Sequence, residues 1–502
     1  VYDWFRKNTT ACRFASQKIA IFISLFLITF FFLACGGGGG SGDSDGGGAG
    51  SEDDAPQLLS VAPDANAVSV LLGAGITANF DMKMNRASRS SFLVYGLQTG
   101  NLSGAYTGGN SKTLRFDANN RFKIGEEVEV ILTRNLTSTD DVNLNSPFVY
   151  RFRVEVLSGN GNFTSTAFIT DQTNCRALTA GDWNGDGDLD LAVANFSINI
   201  VDILDNDGDG DFTSSARISG QTGASALVAG DWDGDGDLDL AVALFSVDRV
   251  DILNNDGTGS FSSTDRISNQ TGASAITAGD WDGDGDLDLA VANFSVGIVD
   301  ILENDGSGVF TSADRISNQT GARGLTAGDW DNDGDLDLAA ALFSVDRVDI
   351  LNNDGTGSFS STDRISNQTG VTALTSGDWD NDGDIDLATA LFGVNRVDIL
   401  ENDGSGDFSS ADRISNQTGA RAITTGDWDG DGDLDLAVAL FSVDRVDILN
   451  NDGTGSFSST DRISNQTGAR GITAGDWDGD GDLDLAAANE GANRIDVLDN
   501  QP

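Results

Sequence analysis

Along the second half of the chain, apolar and polar residues alternate in short runs broken by Gly, Asn and Asp, and the whole pattern returns every 49 residues. The tryptophan of the pattern stands at 183, 232, 281, 330, 379, 428 and 477, so seven copies follow one another without an insertion. In the second copy the alternation predicts four strands, at 226–230, 238–244, 249–254 and 260–267. The segment Leu238-Asp-Leu-Ala-Val-Ala243 is almost wholly apolar, which suits a strand covered on both faces.

Four short strands per copy, joined by glycine turns, predict the blade of a β-propeller. A solenoid also repeats, but its ends stay open. Here the repeat region, 158–500, begins with Gly161-Asn-Phe-Thr-Ser165, which matches a fourth strand, with Phe163 lying 49 residues before Phe212. The last copy stops at Asn500, before its own fourth strand. The N-terminal piece is therefore expected to complete the last blade and close a seven-bladed ring without exposed edges. Copies two, four and six share Asn-Asn-Asp-Gly-Thr-Gly-Ser-Phe, whereas three and five share Glu-Asn-Asp-Gly-Ser-Gly, the trace of a doubled pair.

Upstream, 57–156 has a different texture, with apolar alternation at 67–71, 128–132 and 148–154 between polar turns. This predicts an all-β sandwich. Ser60-Val-Ala-Pro63, the run from Ile76 to Met84, and Phe122-Lys-Ile-Gly-Glu126 resemble the bacterial Ig-like domain of the S-layer-protein type, departing from it at Asp140-Asp141-Val142. That resemblance implies a spacer or presenter. Residues 36–56 are nearly all Gly, Ser, Asp and Glu, a composition expected to form a flexible tether.

The first 35 residues have the layout of an export signal, with Arg6, Lys7, Arg13 and Lys18 ahead of an apolar stretch from Ile19 to Ala34. It ends Phe-Phe-Leu-Ala-Cys35, which resembles the lipobox of bacterial lipoproteins, although Phe32 and Leu33 depart from its usual order. The resemblance implies lipidation of Cys35 and an exported protein anchored in the bacterial envelope, at the outer membrane or cell surface. With Cys12 and Cys175 as the other cysteines, no disulfide framework is expected.

Each copy carries an acidic loop of the form Asp-x-Asp/Asn-x-Asp-Gly-x-x-Asp. Carboxylates at alternate positions of a tight turn converge on one point, and hard oxygen ligands suit Ca²⁺. The candidate ligands are Asp182, Asn184, Asp186, Asp188 and Asp190 in the first loop, and Asp231, Asp233, Asp235, Asp237 and Asp239 in the second. The third holds Asp280, Asp282, Asp284, Asp286 and Asp288; the fourth Asp329, Asp331, Asp333, Asp335 and Asp337. The fifth holds Asp378, Asp380, Asp382, Asp384 and Asp386, the sixth Asp427, Asp429, Asp431, Asp433 and Asp435, and the seventh Asp476, Asp478, Asp480, Asp482 and Asp484. In the second loop Asp231, Asp233, Asp235 and Asp239 are expected to ligate through side chains and Asp237 through its carbonyl. An EF-hand is rejected, because position twelve is Val242 and the flanks are strands. The starts such as Ala278-Gly-Asp-Trp-Asp-Gly-Asp-Gly285, with the later Asn304-Asp-Gly-Ser-Gly-Val-Phe310, resemble the FG-GAP or VCBS repeat of integrin-type propellers and bacterial surface proteins. The resemblance implies up to seven calcium ions and a protein or carbohydrate ligand.

Net charge is -50, from 29 Lys plus Arg against 79 Asp plus Glu, which excludes nucleic acid and leaves the lipid anchor as the one expected membrane contact. The chain has no histidine, and the propeller has no lysine or tyrosine, so the usual bases and nucleophile activators are missing. A non-enzymatic binding or adhesion module, acting as a monomer, is expected; the alternative is a polysaccharide-degrading enzyme on a propeller scaffold. The tryptophans are expected to anchor blade to blade. Phe196, Phe245, Phe294, Phe343, Phe392 and Phe441 stand at the turns between second and third strands, where the last copy has Glu490. Turns of an up-and-down blade alternate between faces, so these lie opposite the acidic loops. Arg323, Arg421 and Arg470 are expected on that opposite face, offering positive charge to an anionic glycan or acidic protein patch. The Asn-Gln-Thr triplets that begin at 269, 318, 367, 416 and 465 read as loops.

Overall fold

The computed structural model describes residues 55–157 and 159–501. The export signal, Cys35 and nearly all of the tether lie outside the described residues. Within them the chain is almost wholly β, with one short 3-10 turn at Arg86–Ser91. Among the described residues no helix is long and apolar enough to cross a membrane.

The N-terminal part is a sandwich of two four-stranded sheets. One runs Leu58–Ala62, Ile76–Phe80, Thr113–Ala118, Gly104–Thr107; the other runs Gly100–Asn101, Phe92–Gly96, Glu127–Leu132, Phe148–Arg153. Period-two burial sets the inner face: Ile76, Ala78 and Phe80 are buried while Thr77 and Asn79 are less so. They meet Phe92, Phe116, Val130 and Phe152 in one core.

After it come seven four-stranded antiparallel sheets, counted among the described residues. In the second, the strands are Ala224–Gly230, Asp239–Leu244, Arg249–Asn255 and Phe261–Ser268, lying side by side in chain order. The alternation places each within two residues of its observed start. The first begins earlier than expected because a register shift between Ala224 and Ala226 interrupts the period there. All six residues of Asp239–Leu244 are buried, as a strand packed between neighbouring sheets requires. The outermost strand, Phe261–Ser268, alternates half-buried and exposed residues.

First strands of successive sheets pack against one another, and that of the last sheet, Ala469–Gly475, packs against that of the first, Cys175–Gly181. The ring is closed by a strand taken out of chain order. Phe163–Thr170 pairs antiparallel with Arg494–Asn500, with Asn500 opposite Phe163, and supplies the outermost strand of the last sheet. Tryptophans rivet the sheets. Trp183 is buried with its ring edge-on to Phe261 of the next sheet at 6.0 Å, and Trp428 meets Phe163 across the closure at 5.9 Å. A side-chain amide follows the same path, since Asn255 Nδ2 donates to the Trp183 carbonyl at 2.8 Å.

The sandwich packs on the propeller at the end that carries the acidic loops. Backbone N–H groups of Val149 and Leu157 donate to the carbonyls of Gly334 and Gly481 at 2.7 and 2.8 Å. Tyr95 Oη reaches Gly285 at 3.0 Å, Asn66 Nδ2 reaches Gly383 at 3.3 Å, and Lys123 Nζ reaches Gly187. All five carbonyls belong to the equivalent glycine of different acidic loops. Gln98 and Arg151 extend the contact to the first strands near the axis, donating to the carbonyls of Ala474 and Ala278 at 3.4 and 3.1 Å.

Candidate functional site

Each acidic loop is wound by its own carboxylates. In the second, Gly234 and Gly236 N–H donate to Asp231 at 2.9 and 3.1 Å, and Asp237 N–H donates to Asp235 at 3.0 Å. Asp239 closes the loop by accepting from the backbone of Trp232 at 3.0 Å and of Asn255 at 2.8 Å. The turn needs glycine where φ is strongly positive, as at Gly285 (φ 105) in the third loop.

This winding brings Asp231, Asp233 and Asp239 together with carboxylate oxygens within 4.8 Å of one another, and likewise Asp280, Asp282 and Asp288. Asp378, Asp380 and Asp386 form the same triad, as do Asp427, Asp429 and Asp435; in the fourth loop the set is Asp329, Asp331 and Asp333. The third carboxylate of the second loop, Asp235, stays exposed at the rim, and Asp237 packs against the Gly257 turn. In the first loop Asn184 donates to Asp186 and Asp205 at 2.9 and 3.2 Å.

Several oxygens in these loops have no donor. Asp331 Oδ1, Asp429 Oδ1 and both oxygens of Asp482 are buried without a hydrogen bond. Burial, reinforced by neighbouring aspartates, pushes Asp239 up to about 7 and Asp337, Asp386, Asp435 and Asp484 up to about 8. A divalent cation with hard oxygen ligands fits such a cluster, supplying the positive charge that protons otherwise bring.

A second set of acids escaped the sequence reading. Asp202, Asp251, Asp300, Asp349, Asp398, Asp447 and Asp496 on the third strands are fully buried. Their neighbours hold them: Arg249 Nε lies 2.6 Å from Asp251, and Gln270 Nε2 donates to Asp300 at 2.7 Å. Gln270 in turn accepts from Asn293 at 2.7 Å. The Asn-Gln-Thr loops therefore pin sheet to sheet through their glutamine. The signal was an aspartate recurring at an inward position of an apolar strand.

At the end opposite the acidic loops, the second residue of each first strand points into the axial mouth. Around the ring these are Arg176, Ser225, Ser274, Arg323, Thr372, Arg421 and Arg470, seven equivalent positions that line one cavity of about 380 Å³ together with Phe245 and Phe294. Arg176 was missed by the sequence reading, although it stands three repeats of 49 residues before Arg323. The hydroxyls are used internally: Ser225 Oγ donates to the carbonyls of Ala243 and Ala273, and Thr372 Oγ1 bridges Ala390 and Ala420. Arg470 is neutralised by Glu490 at 2.5 Å, with Arg176 3.9 Å from the same carboxylate. Burial, then the nearby guanidiniums of Arg470 and Arg323, press Arg421 down to about 9. It stays charged at neutral pH.

A closed ring of four-stranded sheets with an aspartate-rich loop at the same corner of each defines a β-propeller with acidic loops. The chain belongs to the FG-GAP-like repeat family, whose model matches residues 182–242, 244–291, 280–340, 389–438 and 440–487; a bacterial Ig-like domain matches 52–154. This pairing of domains points to an extracellular or cell-surface protein. No curated protein matches the chain in sequence. Among solved structures, BBS1N in complex with ARL6DN, from a crystal soaked with lead, is 14% identical with a TM-score of 0.50, over 69% of this chain and 98% of that one. A 6-phosphogluconolactonase candidate from Bacteroides uniformis is 16% identical with a TM-score of 0.45, over 65% and 92% of the two chains. The first shares the fold; neither carries an activity to this chain.

Proposed function

We propose that this chain is a calcium-loaded, non-enzymatic binding module of the bacterial cell surface, tethered through Cys35 and engaging its ligand at the propeller mouth opposite the acidic loops. One observation carries the reading. The Ig-like domain covers the acidic-loop face, touching five equivalent loop glycines, and leaves the opposite mouth with its phenylalanines and arginines free. A face already occupied within the chain is a poor docking surface, whereas a rim of aromatic and guanidinium groups is what binding sites enrich. The acidic loops then serve stability and orientation. Screening the calcium-loaded chain on a glycan array and against surface-protein extracts tests the module reading. Ligand captured by the whole chain and lost on substituting residues of the mouth supports it; capture that persists there and is lost on changing Lys83 or Arg86, exposed on the Ig-like domain, transfers the function to the Ig-like side. Replacing Cys35 by serine should abolish lipid labelling and leave unprocessed precursor, and labelling that survives overturns the anchor.

A further inference from the structure

Resting on that reading of the mouth, we infer that the axial cavity takes an acidic sugar, a carboxylate- or sulfate-bearing unit of a polysaccharide, held by Arg323 and Arg421. The ring of seven equivalent positions separates these two from the rest. Arg470 and Arg176 share Glu490, whereas Arg323 and Arg421 have no carboxylate partner among the described residues. Like Arg176, which lies 3.3 Å from the centre of the Phe196 ring, both stand beside aromatic rings. The Arg323 guanidinium lies 4.2 Å from the centre of the Phe343 ring and 5.0 Å from that of Phe294; Arg421 lies 5.8 Å from Phe392 and 6.0 Å from Phe441.

The attraction is to the electron-rich ring face, closest for Arg323 over Phe343, and it takes up no hydrogen-bond donor of the guanidinium. Its N–H donors lie in the plane, at the edge, and remain available for a planar or tetrahedral anion. Two such edges open on one cavity, separated around the ring by Thr372, whose hydroxyl hydrogen is already given to backbone carbonyls. The site therefore offers charged donors and apolar ring surface, with no carboxylate to repel an anion except Glu490, which is itself neutralised.

Shape selects a sugar over a protein patch. A concave volume of about 380 Å³ falls within the range of small-ligand sites. A protein partner needs on the order of 800 Å² from each side, far more than a narrow mouth presents. A sugar ring also places C–H groups against phenylalanine while its acid group reaches the arginines. On a body of net charge -50 the mouth is a local positive well, so an acidic unit is drawn to it and repelled elsewhere.

The test is titration calorimetry of the whole, calcium-loaded chain with three hexasaccharides, a galacturonate, a sulfated galactan and an uncharged galactan, and with a hexaglutamate peptide. Binding of either acidic sugar, with the uncharged one silent, is expected, and the two acidic arms tell carboxylate from sulfate. Arg323→Gln and Arg421→Gln should each weaken that binding at least tenfold and the double variant abolish it, while Arg266→Gln on an exposed outer strand leaves it within twofold. The double variant should keep its calcium-loaded melting midpoint, which separates loss of the site from loss of the fold. Acidic sugar bound equally by the double variant overturns the axial site yet leaves the binding module standing. Peptide bound in place of sugar overturns the ligand class, and a wild-type chain that binds neither acidic sugar overturns the proposal whatever the array captures.

Discussion

Asp239 shows what a single residue does in this protein. Its two oxygens each accept a backbone N–H, from Trp232 and Asn255, so it locks the loop between first and second strands to the end of the third. The same burial that makes these bonds strong raises its proton affinity to about 7, and its counterparts Asp337, Asp386, Asp435 and Asp484 to about 8. Above about pH 4 the folded, calcium-free chain holds these protons more tightly than the unfolded chain. That contribution to stability is complete below the unfolded value near 4 and is lost as pH rises through 7 to 8. The melting midpoint of calcium-stripped protein should accordingly fall between pH 5 and 8, and calcium should flatten the slope. A calcium-free midpoint that rises over this window contradicts the assignment.

Between elements, two kinds of contact dominate. The tryptophan rivets fill the space between sheets, and replacing Trp330, buried and edge-on to Phe408 at 5.9 Å, by alanine should cost about 3–5 kcal/mol in denaturant unfolding. Docking of the sandwich combines hydrogen bonds with apolar packing, since Tyr95, Ile131 and Val149 lie in one buried cluster with Leu287 and Leu336 of the propeller. The buried Tyr95 hydroxyl gives its hydrogen to Gly285, within the third acidic loop, so Tyr95→Phe should cost about 1 kcal/mol and leave blade packing intact. Because that carbonyl belongs to a loop shaped by its carboxylates, calcium removal should raise amide exchange at Val149 and Leu157 before the second strands respond. Simultaneous exchange in both places would show that loop and blade open as one unit.

For the whole molecule, ring closure and, on the proposed function, calcium loading set stability. Phe163–Thr170 is the strand that covers the last open edge, pairing with Arg494–Asn500. Deleting it should expose that edge and give concentration-dependent association on gel filtration. A monomeric, unchanged transition after the deletion would mean that inter-sheet packing alone holds the ring. At calcium tenfold above its Kd, each site adds about 1.4 kcal/mol, so seven sites give roughly 10 kcal/mol, comparable to the stability of an entire domain. Chelation should therefore lower the melting midpoint by about 15 °C, and an unchanged midpoint would remove calcium from the account.

Local chemistry written in each repeat determined much of this protein. Strand period, glycine turns and the 49-residue spacing specify four-stranded units, because side-chain alternation and turn geometry are properties of a few neighbouring residues. The acidic loops were legible for the same reason, as were the strand shared between Phe163 and Asn500 and the rivet tryptophans. Tertiary structure alone decided what distant segments do to each other. It alone seats the Ig-like domain on the acidic loops, since five hydrogen bonds to equivalent glycines arise from ring symmetry that no linear pattern displays. It buries the third-strand aspartates, whose arginine and glutamine partners come from their own strand and from the loop between sheets. It also sorts four equivalent arginines lining one cavity into two tied to Glu490 and two without a carboxylate partner among the described residues, because charge pairing depends on which side chains the ring brings within about 4 Å.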